Sequence, residues 1–293
     1  MTDDWLNGEA ARAAVAAVVT AATTQYRIDE ATATAWVRTV LARDPAFRKA
    51  ATEAASGEQL LRTRAFKDAA AAAKKHVYYS LRKYRPAGSG DALAALHAVS
   101  PGGPAAERDA AARAVVAEHR STAERLPSLA EFYAALFAAV GQPRSILDVG
   151  CGVQPLLFPF DGAGAGVELY LATDKDAQAI EAVEAYARAR GDGRLTAVRS
   201  DLSAGWPPEW GEFDLVLMLK LVGVVERQER ELLGVLATAP ARRWVVSGSR
   251  MALAKRQDIE RRERAAVRRF VELAGRRVVG EFTAGEEFAV VVE

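Results

Sequence analysis

The stretch Arg-Ser-Ile-Leu-Asp-Val-Gly-Cys-Gly, residues 144–152, decides the fold of this chain. Its apolar, mostly β-branched residues on either side of Asp148 are typical of a buried strand. Gly150 and Gly152 then allow a tight turn and a close approach of the backbone to a ligand, which side chains would block. A buried strand that runs into an acid and two glycines predicts the first strand of a nucleotide-binding type of α/β fold. An ordinary glycine turn after a strand remains the alternative.

The composition limits the kind of protein this chain can be. It has 293 residues, half of them apolar and 26% charged, which is ordinary for a globular protein with a substantial core. Its single cysteine, Cys151, excludes a disulfide framework and a multi-cysteine zinc site, and we expect no metal. The first residues are acidic where a secretory signal is basic, and no run of about 18 apolar residues occurs. We therefore expect a cytoplasmic protein without a membrane span.

The first half of the chain carries helical patterns and no convincing strand. Alanine-rich blocks with helical periodicity are broken by Pro- and Gly-rich segments. The predicted helices cover about 9–22, 29–41, 57–84, 91–98, 105–118 and 127–140. We therefore predict an N-terminal helical domain over residues 1–104 that leads into a second domain over residues 105–293.

From residue 144 the pattern alternates between strands and helices. The predicted strands are 144–149, 167–173, 195–199, 213–219, 242–247, 276–282 and 287–292. Helical patterns at 175–190, 226–238 and 255–274 separate most of them. Such alternation predicts a mostly parallel sheet that is covered on both faces. The short turn at 284–286 joins the last two strands as a hairpin.

Three acidic residues stand at the ends of the first three predicted strands of this half. Asp148 closes the first strand, Asp174 ends the second and Asp201 follows the third. Ligands of an open α/β sheet bind at the carboxyl ends of the strands, so these carboxylates are candidates for one shared site. Taken alone, Asp174 also has the position of an N-cap for the next helix. Asp201, taken alone, also has that of a turn former before residues 206–208.

The motif D-x-G-x-G at 148–152 resembles motif I of the class I S-adenosylmethionine (SAM) methyltransferases. Seven strands that end in a hairpin also resemble the Rossmann-like sheet of that class. The resemblance implies SAM as the cofactor, with one carboxylate on the ribose hydroxyls and an acid–leucine pair around the adenine. A dinucleotide site fits less well because Pro155 stands where its third glycine would be. The implied cofactor-binding residues are Asp148, Gly150, Cys151, Gly152, Asp174 (ribose), Asp201 and Leu202 (adenine). We expect the Cys151 thiol itself to be packed rather than nucleophilic.

Three segments resemble one family, the 16S rRNA guanine-N7 methyltransferases that confer aminoglycoside resistance. Residues 119–126, His-Arg-Ser-Thr-Ala-Glu-Arg-Leu, resemble that family's H-x-S-T-R-E-R-L. Residues 148–156 resemble its D-x-G-C-G-x-N-P-L, and residues 219–228 resemble its L-K-x-x-P-x-x-E-x-Q. The resemblance implies a divergent member with an N-terminal helical domain, acting on 16S rRNA in the 30S ribosomal subunit. It also nominates Lys220 and Glu226 beside the cofactor as catalytic residues that bind or position the target.

The chain departs from this family pattern at several positions. Ala123 stands where an arginine would pair with the SAM carboxylate, and helical geometry predicts that Arg120 and Arg125 point elsewhere. Gln154 replaces an asparagine and so lengthens an amide side chain. Gly223 replaces a proline, which we expect to loosen the loop after strand four. These departures leave open a divergent relative that methylates another RNA, a small molecule or a peptide.

Positive charge is concentrated in two segments, although the net charge is only +1. Residues 43–85 carry eleven Lys or Arg against four acids, and residues 250–277 carry ten against four. Because phosphate contacts supply most non-specific RNA affinity, this concentration predicts RNA contact. The candidate RNA-binding residues are Lys74, Lys75, Arg82, Lys83 and Arg256. The alternative is a solvated helix face, with i,i+4 ion pairs in the second segment.

The expected chemistry needs little from the protein beyond positioning. Guanine N7 attacks through an exposed lone pair and loses no proton, so no general base is needed. No histidine occurs after residue 119, and we therefore expect a site without a nearby histidine. Catalysis then rests on holding a flipped or unpaired base in place. We expect a monomer, and a non-catalytic RNA-binding protein of the same fold remains the alternative from another class.

Overall fold

The computed structural model describes residues 4–26, 29–81, 90–251 and 258–293. The chain forms two compact units, Met1–Pro86 and Ala87–Glu293. Within the described residues, no helix has both the length and the apolar character needed to cross a membrane.

The first unit is built of helices around an apolar core. They are α1 (Glu9–Tyr26), α2 (Glu30–Ala42), α3 (Pro45–Glu53), α4 (Gly57–Arg62) and α5 (Arg64–Leu81). The side chains of Asp29, Asp44 and Ser56 accept a backbone N–H three residues on and so cap α2, α3 and α4. The fully buried side chains of this core include Leu6, Val37, Leu41, Phe47, Leu60 and Val77.

The helical part differs from the prediction at two places. The single helix predicted over 57–84 is interrupted at Thr63, whose hydroxyl donates to the Leu60 carbonyl (2.7 Å) and accepts the Phe66 N–H (3.1 Å). Such side-chain bonds compete with the helical ladder, so one helix ends and the next begins here. Helix α3 was not predicted, because Asp44-Pro45 is also a helix end signal. In the structure Asp44 is the N-cap and Pro45 the first helical residue.

The second unit contains one seven-stranded sheet in the order β3-β2-β1-β4-β5-β7-β6. The strands are β1 (Ser145–Val149), β2 (Leu169–Asp174), β3 (Leu195–Arg199), β4 (Phe213–Met218), β5 (Ala241–Ser249), β6 (Val278–Ala284) and β7 (Glu287–Val292). The first five are parallel to one another, and β7 runs antiparallel between β5 and β6. All seven predicted strands, the terminal hairpin and the predicted α/β fold class are confirmed.

Helices cover both faces of this sheet. They are α6 (Asp91–Ala98), α7 (Ala105–Glu118), α8 (Arg120–Ala123), α9 (Leu129–Val140), α10 (Ala177–Arg190), α11 (Val222–Gln228), α12 (Leu233–Leu236) and α13 (Glu260–Leu273). On one face α7, α9 and α10 pack against side chains such as Ile146 and Tyr170. On the other face α11 to α13 pack against Leu147 and Trp244. Adjacent residues of β1 thus serve opposite cores, as expected of a strand buried on both faces.

Two further bounds differ from the prediction. The helix predicted over 226–238 is three short pieces, α11, a 3-10 turn at Arg230–Leu232 and α12. Helix α6 lies within the residues predicted for the helical domain, but it belongs to the second compact unit. Its His97 contacts Glu181 (3.2 Å) and Arg188 (3.0 Å) of α10, which ties α6 to the helices on the sheet.

Candidate cofactor and target site

The loop after β1 turns sharply at the carboxyl edge of the sheet. Gly150 and Gly152 adopt φ values of +64° and +53°, in the left-handed region that favours glycine. A Cβ at Gly150 would lie 2.7 Å from Cδ1 of Leu221, and one at Gly152 would lie 3.1 Å from Cε1 of His119. Both positions therefore favour glycine for backbone conformation, and a side chain at either one would press on a neighbouring side chain, as the sequence predicts for a ligand-binding loop.

Asp174 ties the end of β2 to this loop. Its Oδ2 accepts the Gly152 N–H and its Oδ1 accepts the Asp176 N–H, both at 2.9 Å. The helix α10 is capped by Asp176, which accepts the Gln178 N–H (3.0 Å), so the N-cap alternative for Asp174 is wrong. Each carboxylate oxygen can accept a second hydrogen bond. Asp174 is thus a half-buried carboxylate, fixed beside the glycine loop, with acceptor capacity left for a ligand.

Asp148 lies beneath the loop rather than on its surface. Its side chain is buried, and its Oδ2 accepts the Tyr170 hydroxyl at 2.7 Å. Among the described residues nothing bonds to its buried Oδ1. Burial raises the pKa of Asp148 to about 7, because the charged form loses its hydration. The geometry supports Asp148 as a residue that underpins the loop, and its contact with a cofactor stays a prediction.

Asp201 and Leu202 stand at the carboxyl end of β3. Asp201 caps the 3-10 turn Leu202–Ala204 by accepting the Ser203 N–H at 2.9 Å, so the alternative, a turn former, describes its contacts within the protein. That N–H also holds the pKa of the Asp201 carboxyl below its ordinary value. Asp201 is exposed, while Leu202 is half-buried against the apolar core of this face. An exposed carboxylate beside an apolar side chain suits an adenine ring, and that role stays a prediction.

Cys151 is packed in the core of the unit. Its Sγ lies 3.3 Å from the Gly152 carbonyl oxygen, and burial raises the pKa of its thiol well above the ordinary value. A thiol that stays protonated is a poor nucleophile. The geometry agrees with the expected packing role.

Lys220, two residues after the end of β4, has an unusual backbone and a charged environment. Among the described residues it is the one non-glycine with positive φ, at +57°. Its N–H donates to the Ser247 hydroxyl (2.9 Å), and its ammonium donates to Glu124 (2.6 Å) and lies 3.5 Å from Glu287. Such strain costs about 1 kcal/mol or more and is concentrated at functional sites. Lys220 also lies at the carboxyl edge of the sheet, next to Leu221, which packs on Gly150.

Arg125 is the centre of a buried network between the loop and β7. Its guanidinium makes two hydrogen bonds to Glu287, at 2.9 and 2.8 Å, and a third to the Gln154 amide oxygen. The Gln154 amide nitrogen donates to the Tyr133 hydroxyl (2.7 Å), so its extra length joins Arg125 to Tyr133. Burial alone would raise the pKa of Glu287, but the charges of Arg125 and Lys220 hold it below its ordinary value. Arg125 is thereby committed to protein partners.

Glu226 has a different set of partners from Lys220. It lies on α11, and both its oxygens accept from Arg269 of α13, at 2.8 and 2.9 Å. The structure thus brings Lys220 to Glu124 and Glu287, and it holds Glu226 against α13. The catalytic role predicted for Glu226 gains no support from this geometry and stays a prediction.

Gly223 does not loosen a loop, and that expectation is wrong. It is buried within α11, where a Cβ would lie 2.1 Å from Oε2 of Glu263. Oε1 of the same carboxylate accepts from Arg227 at 2.7 Å. The missing side chain therefore makes room for a buried Glu263 that holds α13 against α11.

Sequence reasoning missed two residues of the site. The expectation of no nearby histidine is wrong, because the His119 ring lies against Gly152. Glu124, the partner of Lys220, was also not singled out. The signal was present in the motif over 119–126, whose histidine, glutamate and arginine contact Gly152, Lys220 and Gln154 in turn.

The basic residues divide into two groups. On α5 Lys75 is exposed and Lys74 half-buried, and neither has an ion-pair partner among the described residues. Arg82, Lys83 and Arg256 lie outside the described residues. The arginines of the second segment are mostly paired within the protein, so the i,i+4 alternative is confirmed for Arg264. The paired arginines are Arg250, Arg262, Arg264, Arg268 and Arg269.

Comparison with known protein families gives one match that covers most of the chain. A family model described as ribosomal RNA methyltransferase (FmrO) matches residues 47–278. The chain is 41% identical over 132 residues to a 16S rRNA (guanine(1405)-N(7))-methyltransferase of Frankia casuarinae (strain DSM 45818 / CECT 9043 / HFP020203 / CcI3), which is 45% of each chain. It is 30% identical over 187 residues to the protein of the same name from Micromonospora olivasterospora, 62% of this chain and 61% of that protein. The chain thus spans about half the length of the curated relatives it matches.

Solved structures agree over a longer stretch. The 16S rRNA methyltransferase RmtF in complex with S-adenosyl-L-homocysteine is similar with a TM-score of 0.59 and 27% identity, over 91% of this chain and 99% of that one. The 16S rRNA methylase RmtB is similar with a TM-score of 0.57 and 22% identity, over 89% of this chain and 98% of that one. At that identity the likeness to RmtB is evidence for the fold.

Proposed function

Because this chain belongs to the ribosomal RNA methyltransferase (FmrO) family, we propose that it methylates N7 of a guanine in 16S rRNA. The methyl donor is SAM, and the acceptor lies in the decoding site of the 30S subunit. Methylation there protects the ribosome from aminoglycosides. The observation that carries the proposal is the fixed loop Gly150–Gly152 with the Asp174 carboxylate bonded to it, beside the Lys220–Glu124 pair.

The residues around the loop fit SAM. Two left-handed glycines leave a cradle that side chains would fill, and Asp174 is held there by two backbone N–H groups. Its remaining lone pairs suit the ribose hydroxyls, while Asp201 and Leu202 suit the amine and the ring of adenine. When bound, SAM supplies an electrophilic methyl group on a sulfonium. Ala123 provides no charge for the SAM carboxylate. The His119 ring, which lies against Gly152, is a candidate donor to it.

The protein's own part in this chemistry is to hold the acceptor base. Guanine N7 attacks with its lone pair and gives up no proton, so the reaction needs no general base. Lys220 is fixed at both ends, by its backbone N–H on Ser247 and by its ammonium on Glu124. A preorganised cation at this edge suits a purine oxygen, and positioning of this kind is a large source of rate enhancement.

The helical unit supplies the affinity for RNA in this proposal. Lys74 and Lys75 on α5 are free of ion pairs within the described chain, whereas the arginines of α13 are mostly paired. When unpaired lysines contact phosphates, counterions condensed on the RNA are released, and this release favours binding. We propose that the protein acts as a monomer in the cytoplasm, where 30S subunits are, with the first compact unit, Met1–Pro86, as the RNA-binding domain.

A transfer assay tests the proposal. Purified protein is incubated with SAM carrying a labelled methyl group and with 30S subunits, 50S subunits or a cell extract without ribosomes. We expect label in the 16S rRNA of 30S subunits, and raised tolerance of gentamicin and kanamycin in cells that express the chain. Label in small molecules or peptides instead points to a relative with another acceptor. SAM binding without any transfer points to a non-catalytic protein.

A further inference from the structure

We propose that Glu124 reads the Watson–Crick edge of the acceptor guanine, with Lys220 beside it. In this assignment the carboxylate accepts from N1–H and the N2 amino group, and the ammonium donates to O6. The inference rests on the proposed function, since it names the residues that select guanine at that site. It gives a substrate-recognition role to Glu124, whose one ion pair within the described residues is the salt bridge to Lys220.

The positions of their neighbours place Glu124 and Lys220 beside the glycine loop. Glu124 stands between two residues that contact the loop, since His119 lies against Gly152 and Arg125 bonds to Gln154. Lys220 is followed directly by Leu221, which packs on Gly150. Two separate segments, one before α9 and one after β4, thus bring an acid and a base together next to the loop. The Lys220 ammonium nitrogen lies 2.6 Å from Oε1 of Glu124.

The pair is reachable by a ligand. The side chains of Lys220 and Glu124 are 16% and 20% exposed, whereas Glu287, the other carboxylate near the ammonium, is 4% exposed. Glu287 is also occupied by two hydrogen bonds from Arg125 and one from Ser247. It holds Lys220 in place from the buried side. Of the two carboxylates around Lys220, only Glu124 therefore has room to exchange its partner for a base.

A flipped guanine matches this pair of groups. Its Watson–Crick edge carries an acceptor, O6, next to two donors, N1–H and the N2 amino group. Lysine has donors only, and an ionised glutamate has acceptors only, so the pair presents the complementary pattern. Adenine carries the reverse order, a donor amino group next to the acceptor N1. Its amino group would face the Lys220 ammonium, a donor, and its N1 would face the Glu124 carboxylate, an acceptor. Enzymes that act on flipped bases read this same edge.

The charge of Glu124 also suits the reaction. As the N7 lone pair forms the bond to the methyl carbon, the bond from that carbon to sulfur breaks and its electron pair stays on sulfur. No proton leaves, so the positive charge moves from the cofactor to the purine ring. A carboxylate hydrogen-bonded to N1–H stabilises that developing cation, and the effect is present in the transition state.

The test compares Glu124→Gln with the wild type and with Glu118→Gln. Glu118 is an exposed glutamate near the end of α7, so it controls for loss of one negative charge in the same region. Glutamine can still bond to Lys220 but offers a donor where guanine needs an acceptor. We expect the single-turnover rate on 30S subunits to fall at least about tenfold in Glu124→Gln. SAM affinity and the melting temperature stay those of the wild type, and Glu124→Asp recovers part of the rate.

A footprint provides a readout that does not depend on turnover. Kethoxal reacts with the N1 and N2 positions of unpaired guanines. In the complex of 30S subunits with protein and S-adenosylhomocysteine, we expect the acceptor guanine to be protected by the wild type and reactive with Glu124→Ala. Equal rates for wild type and Glu124→Gln, or a reactive guanine in the wild-type complex, overturn the inference while the proposed function stands. A wild type that methylates no 30S subunits overturns the proposed function itself.

Discussion

At the residue scale, Asp174 and Asp176 have different roles although they are two positions apart. Asp174 bonds to the glycine loop through Gly152, while Asp176 caps α10. The sequence placed an acid at the end of β2 but did not say which of the two would be the cap. The difference depends on the direction in which each side chain leaves the chain after the strand ends, and that is a property of the folded turn.

This contrast gives a matched pair of variants. We expect Asp174→Ala to raise the Kd for SAM at least about tenfold, because hydrogen bonds to a charged acceptor are worth about 1.5–3 kcal/mol each. Asp176→Ala should cost about 1 kcal/mol of stability through the lost cap and leave the Kd unchanged. Calorimetric titration with SAM and urea unfolding measure the two effects. Equal SAM affinity in wild type and Asp174→Ala would remove Asp174 from the site.

Asp148 links the site to the stability of the fold through pH. Its pKa is about 7 in the folded state, against about 3.9 in an unfolded chain, so the folded state binds more protons between these values. The stability that it contributes is present below about pH 4 and is lost as the pH rises through about 7, at up to about 1.4 kcal/mol per pH unit.

Asp148→Asn removes this dependence, because asparagine does not ionise and still offers Tyr170 an oxygen. We expect the variant to gain stability relative to the wild type as the pH rises from about 5 to about 8. Urea unfolding at several pH values measures the difference between the two proteins. A difference that stays constant over this interval would show that Asp148 ionises normally in the folded protein.

At the element scale, the strands could be predicted and several helix bounds could not. The central strands, such as β1 and β4, are short apolar runs, and turn residues bound most of the strands, so a local pattern indicates them. The division of the helix at Thr63 depends on one hydroxyl that bonds in both directions. The short pieces after β4 depend on how α11 packs on α13, around Gly223 and Glu263. Such contacts between distant residues leave no trace in helical periodicity.

Two helical glycines test that packing. We expect Gly223→Ala to lower the free energy of unfolding by about 1–3 kcal/mol, since its methyl group would meet the buried carboxylate of Glu263. Gly234→Ala on α12 has no atom within 4 Å of the new Cβ, so it should be neutral or stabilise by up to about 1 kcal/mol. Thermal or urea unfolding compares the two. A Gly223→Ala protein as stable as Gly234→Ala would mean that Glu263 moves aside freely.

The candidate site itself was partly predictable from the sequence. The glycine loop, the acids at the strand ends and Lys220 follow from motifs whose positions the sheet topology fixes. The buried network of Arg125, Gln154 and Glu287 joins residues up to 162 positions apart. Only the folded sheet, with β7 inserted beside β5, brings Glu287 to Arg125 and so to the residues after β1.

At the scale of the whole molecule, we propose that RNA affinity and cofactor binding depend on different residues. We expect the double variant Lys74→Glu/Lys75→Glu to weaken binding to 30S subunits and to reduce the slope of log K against log salt by about two. SAM affinity should not change. The control Arg242→Glu/Arg277→Glu makes the same change in net charge, with exposed arginines at the amino-terminal edge of the sheet. Filter binding at several salt concentrations distinguishes them, and equal losses in both would indicate a non-specific effect of charge.

We propose that this chain methylates guanine N7 in 16S rRNA. The most direct test is nucleoside mass spectrometry of 16S rRNA from cells that express the wild-type chain, with cells that express Lys220→Ala as the control. Primer extension after reductive cleavage at N7-methylguanine locates the site. We expect additional 7-methylguanosine at one decoding-site guanine in the wild type and a strong reduction in the variant. A 16S rRNA with no additional 7-methylguanosine, in cells that contain folded wild-type protein, would contradict it.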